Sequence, residues 1–219
     1  GVFYSKISLP VYVNEWDLEK ERLYYRGVFY WLASLIPDDR EVFCHFNFAR
    51  DYELARLLKQ RLKATIIFTL HYMDWSFDLL GDYKRFLSIL SKPFSEEEEK
   101  IVTRFKAERK FMVDCCDFII TVSRNSYLLL QTLYGIPSSK LVYIPHALKD
   151  GYVEKSREES KRIRDKYLFD KNEKLILYVG RLSKEKGLIE LIEAFKRLRR
   201  ECKDVRLIVA GSGDFGKYL

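Results

Sequence analysis

Leu175-Ile176-Leu177-Tyr178-Val179-Gly180-Arg181-Leu182-Ser183-Lys184-Glu185-Lys186-Gly187 is the stretch whose reading decides the fold. An apolar, β-prone run ends in a glycine, and a helix follows it. In that helix Leu188, Leu191, Ile192, Phe195 and Leu198 fall at i, i+3, i+4, i+7 and i+10, one apolar stripe. Arg181, Lys184 and Lys186 gather around its expected start. The macrodipole places about half a positive charge there, so acids are favoured and each lysine costs about 0.3–1 kcal/mol. A turn built to receive an anion, on free backbone N–H groups and converging cations, accounts for that cost. A solvated helix start with surface lysines accounts for it too.

Working outward, Val205–Val209 reads as the next strand, so residues 175–219 open a domain with a strand–helix–strand unit. Upstream, Lys149–Lys174 is charged and nearly free of aliphatics, which predicts a linker over 149–174 with one short helix. Residues 1–148 form the first domain. There, Asp17–Ile36 reads as a helix, Val42–Phe48 as a strand and Asp51–Leu62 as a helix with Leu54, Leu57, Leu58 and Leu62 inward. Thr65–Leu70 is a continuous apolar strand of the kind buried on both faces of a parallel sheet. Residues 72–82, rich in aromatics and acids, read as a loop or lid. Ser95-x-x-Glu98 is a capping box opening a helix to about Asp114. Phe118–Val122 is a strand, Ser123 caps a helix ended by Gly135 and Pro137, and Leu141–Ile144 is a strand stopped by Pro145. Strand alternating with helix predicts an α/β fold with parallel sheets.

Composition narrows the class. Of 219 residues 47% are hydrophobic and 15% aromatic, enough for a real core. No run approaches the ~20 apolar residues of a membrane span, and no signal peptide is recognisable at the N-terminus. Cys44, Cys115, Cys116 and Cys202 fit no metal spacing and read as buried, reduced thiols. Together these predict a cytoplasmic protein with no metal site. The first residue is Gly1 rather than Met, which predicts a fragment. The net charge of +7 divides unevenly. Residues 1–150 carry 21 Lys/Arg against 20 Asp/Glu, and residues 151–219 carry 18 against 12. The basic excess suits a phosphate-bearing small ligand or an anionic membrane surface at the inner face. Nucleic acid is disfavoured, because no recognition module is present. Much of the excess, Lys196, Arg197, Arg199 and Arg200, falls on the polar face of the amphipathic helix.

Val179-Gly180-Arg181-Leu182-Ser183 with Lys186-Gly187 and the helix behind it resembles the donor-diphosphate motif of GT-B-fold, nucleotide-sugar-dependent glycosyltransferases, specifically retaining family 4, the glycosyl transferases group 1. The resemblance runs over roughly residues 40–219 and includes Asp117–Ser123 and Lys140–His146. It implies two Rossmann-like domains, the second truncated, and transfer of a sugar from a nucleotide-sugar donor to the hydroxyl of a glycan or lipid-linked acceptor, with retention. Arg181 and Lys186 would hold the donor diphosphate behind Gly180. Gly211 and Gly213 would line the donor pocket. His71, ending a strand, would face the reacting sugar as the catalytic-site histidine, whereas His45 and His146 read as structural. No cofactor or metal is implied beyond the donor itself.

The chain departs from the family in three places. Ala147 stands where a glycine is usual. No glycine-rich loop lies in residues 1–20. The E-x7-E acids would fall after residue 219, so the chain carries about half of the expected site and is expected to be inactive alone. Gly211-Ser212-Gly213-Asp214-Phe215-Gly216 is also a G-x-G-x-x-G run after a strand, which leaves a nicotinamide-dependent oxidoreductase as an alternative. A non-catalytic basic module at a membrane surface is the other. Which sugar, base and acceptor are used is not written in the residues.

Overall fold

The computed structural model describes residues 18–37, 40–49, 52–148, 151, 154–167, 169–170 and 172–213. The chain divides into two compact units, Gly1–Ala147 and Leu148–Leu219.

The first unit is built on a four-stranded parallel sheet, β1 (Phe43–Phe46), β2 (Thr65–Leu70), β3 (Phe118–Thr121) and β4 (Leu141–Tyr143), in the order β1-β2-β3-β4. The apolar run at β2 occupies an inner position, with Ile66, Phe68 and Leu70 all but inaccessible. A strand covered on both faces tolerates an unbroken apolar sequence, and this one has it. Helix α1 (Leu18–Leu35) packs on α2 (Tyr52–Leu62), whose Ala55 and Leu58 are buried against the core. Lys59 of α2 reaches the Asp117 carboxylate (2.6 Å) and the Cys115 carbonyl (2.9 Å), and Asp117 also accepts the Ile66 N–H (2.9 Å). These bonds pin α2 to the entrances of β2 and β3.

Residues 72–82 are not a lid. They fold as α3 (Asp74–Asp78) and the turn into α4 (Tyr83–Ser91). Met73, Trp75, Leu79, Phe86 and Ile89 are buried, and the Trp75 and Phe86 rings stack at 4.3 Å. Asp82 accepts the Arg85 N–H (3.0 Å) and caps α4, while Asp78 pairs with the Arg104 guanidinium (2.6 Å). Leu80 and Gly81 turn the chain with φ of 51° and 78°.

Helix α5 (Glu96–Asp114) starts at Ser95, which accepts the Glu98 N–H, with four glutamates in its first turn. The reciprocal half of the expected capping box is displaced by one residue, because Glu98 accepts from the Phe94 N–H (2.8 Å). Its inner face carries Ile101, Val102, Phe105, Glu108, Phe111 and Met112. Helix α6 (Arg124–Thr132) is capped by Ser123 on the Ser126 N–H, and Gly135 (φ 66°) turns the chain after it. Ala147 has no positive φ.

The second unit contains α7 (Arg157–Lys166), opened by a complete Ser156–Glu159 capping box, then β5 (Lys174–Val179), a 3₁₀ turn (Lys184–Lys186), α8 (Leu188–Glu201) and β6 (Val205–Ala210). Strands β5 and β6 pair in parallel from Lys174↔Val205 to Val179↔Ala210. Leu188 is fully buried, and Leu191, Ile192, Phe195 and Leu198 are half-buried along the same stripe. Cys115 and Cys116 are buried, and burial pushes the Cys115 thiol up to about 11 and Cys116 higher. Cys202 is exposed and Cys44 half-buried, so the expectation of four buried thiols holds only for the adjacent pair. Among the described residues no helix is long and apolar enough to cross a membrane.

Candidate functional site

In the second unit the expected donor turn begins where β5 ends. The Gly180 N–H donates to the Ala210 carbonyl (3.0 Å), and the Leu182 N–H donates to Ser212 (2.9 Å). The two post-strand loops therefore run side by side, with an isolated parallel bridge between Leu182 and Gly213. A Cβ on Gly211 would collide with the Gly180 carbonyl, and one on Gly213 with the Leu182 carbonyl, at a φ of 151° besides. Both glycines thus have a reason inside the chain, whatever else they face. Asp214–Gly216, the rest of the G-x-G-x-x-G run, lie outside the described residues.

The cations gather at the start of α8 but ahead of its first turn, with Arg181 and Lys186 both preceding the helix. Lys186 closes the 3₁₀ turn and Gly187, in the left-handed region (φ 66°), is the N-cap. The first turn itself carries Glu190, as the dipole favours. No lysine penalty is paid within the helix. Gly187 has no side chain to cap the first N–H groups of α8, which leaves them to another acceptor. The Arg181 backbone carbonyl accepts from Tyr178 Oη (2.8 Å), while its guanidinium stays exposed and only 3.8 Å from Glu185, a loose pair. An exposed guanidinium in the turn that leads to uncapped N–H groups is chemically suited to a phosphate.

In the first unit the C-terminal ends of the parallel strands bring His71, Asn47 and His146 together. His71 Nε2 lies 3.1 Å from Asn47 Oδ1, within hydrogen-bond distance, and the His71 and His146 rings stack at 5.9 Å and 9°. His45 sits 2.7 Å from the Thr69 hydroxyl. The sequence singled out His71, gave no role to Asn47 and read His146 as structural; the structure places the three together. The available signal was position, since each follows closely on a strand end.

Behind His71, a small cavity lined by Asn47, Phe68, Tyr72, Asp74 and Glu108 adjoins a larger one of about 400 Å³ that shares Asp74 and Glu108. Glu108 is 5% exposed and accepts a short hydrogen bond from the Tyr134 hydroxyl. Burial lifts its carboxyl to about 7, against the Tyr134 bond, with the Asp74 charge adding to the rise. The sequence marked this glutamate only as part of a helix.

Comparison with known proteins follows the same outline. Residues 159–219 match the family described as Glycosyl transferases group 1. An uncharacterised glycosyltransferase of Methanocaldococcus jannaschii is 32% identical over 103 residues, 46% of this chain and 26% of that relative. The crystal structure of Anabaena HepE in complex with UDP superposes with a TM-score of 0.60 at 15% identity, over 89% of this chain and 45% of HepE. The chain thus spans about a quarter of the one relative and under half of the other. The resemblance to group 1 glycosyltransferases is borne out, and so is the α/β architecture of the GT-B kind.

Proposed function

We propose that this chain works in a nucleotide-sugar-dependent glycosyltransferase, moving a sugar from a nucleotide-diphosphate donor to an acceptor hydroxyl with retention. The observation that carries the reading is the turn from Gly180 to Gly187: an α8 start with no side-chain cap, an exposed Arg181 and Lys186 beside it, all within the matched residues. Donor binding is assigned to residues 175–219, with 149–174 as linker. Acceptor binding is assigned to residues 1–148, where His71 would meet the reacting sugar. Arg181 and Lys186 would neutralise the charge growing on the leaving diphosphate, so the proposed step needs no metal. The acceptor would be a glycan or lipid-linked hydroxyl. The protein would work in the cytoplasm, in peripheral contact with anionic membrane through the polar face of α8.

HepE was solved with UDP, which makes UDP the first probe. Calorimetric titration of the complete protein with UDP and, separately, with NAD is expected to show binding of the diphosphate alone. NAD binding without UDP binding would move the protein to the oxidoreductase class. The glycines that raise that class already serve the close approach of the two post-strand loops.

A further inference from the structure

The β1–β2 register does more than hold the sheet. Paired Cα positions in these strands are 22 residues apart, as in His45↔Ile67 and Phe46↔Phe68. Two polar side-chain contacts then cross the pair at a spacing of 24: His45 with Thr69, and two residues further along each chain, Asn47 with His71. Since strand side chains alternate, residues two apart share a face. Asn47 and His71 stand one residue past the ends of β1 and β2, and their contact continues the same spacing beyond the paired residues. His146, three residues past the end of β4, adds a ring nearly parallel to that of His71. All three side chains are exposed at the sheet's C-terminal rim, within reach of a ligand.

We infer that Asn47 and His146 are positioning residues that fix the His71 imidazole in one tautomer and one plane, so that Nδ1 is presented to a substrate hydroxyl. The chemistry is direct. With the Asn47 amide turned so that Oδ1 faces the ring, that oxygen can only accept, and the proton between the two belongs on Nε2. The other nitrogen of a neutral imidazole is then the acceptor. Asn47 restrains the ring's edge and His146 its face. The inference rests on the glycosyltransferase reading for its consequence, but its geometry can be tested without any activity.

The experiment uses the complete protein labelled with 15N-histidine, with the His71 signals identified by their loss in His71→Gln. Long-range 15N–1H correlation is expected to show the wild-type proton on Nε2 alone. Asn47→Leu, similar in size with no acceptor, is expected to give a mixture of tautomers, and Asn47→Asp to restore the single form. In turnover, Asn47→Leu is expected to lower kcat about 3–10-fold, the effect of one hydrogen bond, with UDP affinity unchanged. His146→Ala is expected to lower kcat likewise and His146→Phe, which keeps a flat ring, to recover most of it. A proton on Nδ1 in the wild type, or a tautomer indifferent to Asn47→Leu, overturns the inference. So does a tautomer that shifts while kcat does not. If the wild type transfers no sugar from any donor, the functional reading falls, and the tautomer result alone decides the geometry. The substituted side chains are exposed, so none of these changes opens the core.

Discussion

Arg181 and Lys186 are exposed in the turn that leads into α8, and the packing of that turn does not account for them. Gly180, Gly211 and Gly213 are tied to the approach of two loops, whereas the Arg181 guanidinium is exposed with one loose partner. Arg181→Ala and Lys186→Ala should each weaken UDP binding by about one to two powers of ten, since a charge-assisted phosphate contact is worth roughly 1.5–3 kcal/mol. Calorimetry with UDP measures this, and unchanged circular dichroism shows the fold intact. Wild-type affinity in both variants would reduce the turn to an ordinary helix start. His71→Ala is expected to behave differently, lowering kcat more than UDP affinity, because a group acting on the reacting sugar contributes mainly near the transition state. A loss of UDP affinity with kcat preserved would make His71 a donor ligand instead.

At the scale of elements, two junctions carry measurable energy. The first joins the β5 and β6 loops, where Gly211→Ala and Gly213→Ala each place a methyl group into a backbone carbonyl. Overpacking of that kind costs about 1–3 kcal/mol, read as a lowered denaturation midpoint. If stability is untouched and only UDP binding falls, the glycines serve the ligand. The second junction is Glu108 of α5 against Tyr134 and α3. Burial raises its carboxyl from 4.5 to about 7 in the folded protein. Between those two values the native state holds a proton that the unfolded chain has released, so stability falls as pH rises from about 4.5 to about 7. The full loss is about 3 kcal/mol. Glu108→Gln, which keeps an acceptor for Tyr134, should flatten the decline in Tm between pH 5 and pH 8. An unchanged slope would show that Glu108 ionises as it does in the unfolded chain. These junctions also show what the sequence could and could not tell. Helix α5 and strands β2, β5 and β6 were legible because their apolar period and caps are local. The 72–82 segment was misread because Trp75 is paired with Phe86, eleven residues on, a contact that no local pattern contains. Nor does any local pattern bring Asn47, His71 and His146 together, since they follow the ends of three strands far apart in the chain.

For the whole molecule the open matter is what the uneven charge does. The chain carries +7, with 18 Lys/Arg against 12 Asp/Glu after residue 150. Two uses compete for the polar face of α8, donor attraction and a membrane surface. Distance separates them. Arg197 and Arg200 lie about 10 and 13 residues past Gly187, hence ~15–20 Å along the helix from its N-terminus. That exceeds the ~8 Å Debye length at 0.15 M salt, so they contribute little to holding a diphosphate at the α8 start. Arg199 is committed already, donating to the Lys203 and Val205 carbonyls at the helix end, so it is left in place. The double change Arg197→Gln/Arg200→Gln should therefore leave UDP affinity as it is at 0.15 M salt. Near an anionic bilayer each arginine is worth about 1 kcal/mol, so the same change should cut binding to anionic vesicles about 30-fold. Co-sedimentation with and without anionic lipid, run beside UDP calorimetry, reads both. Loss of UDP affinity with vesicle binding intact would assign the face to the donor. Loss of neither would leave these arginines as a solvated face that also complements the helix dipole.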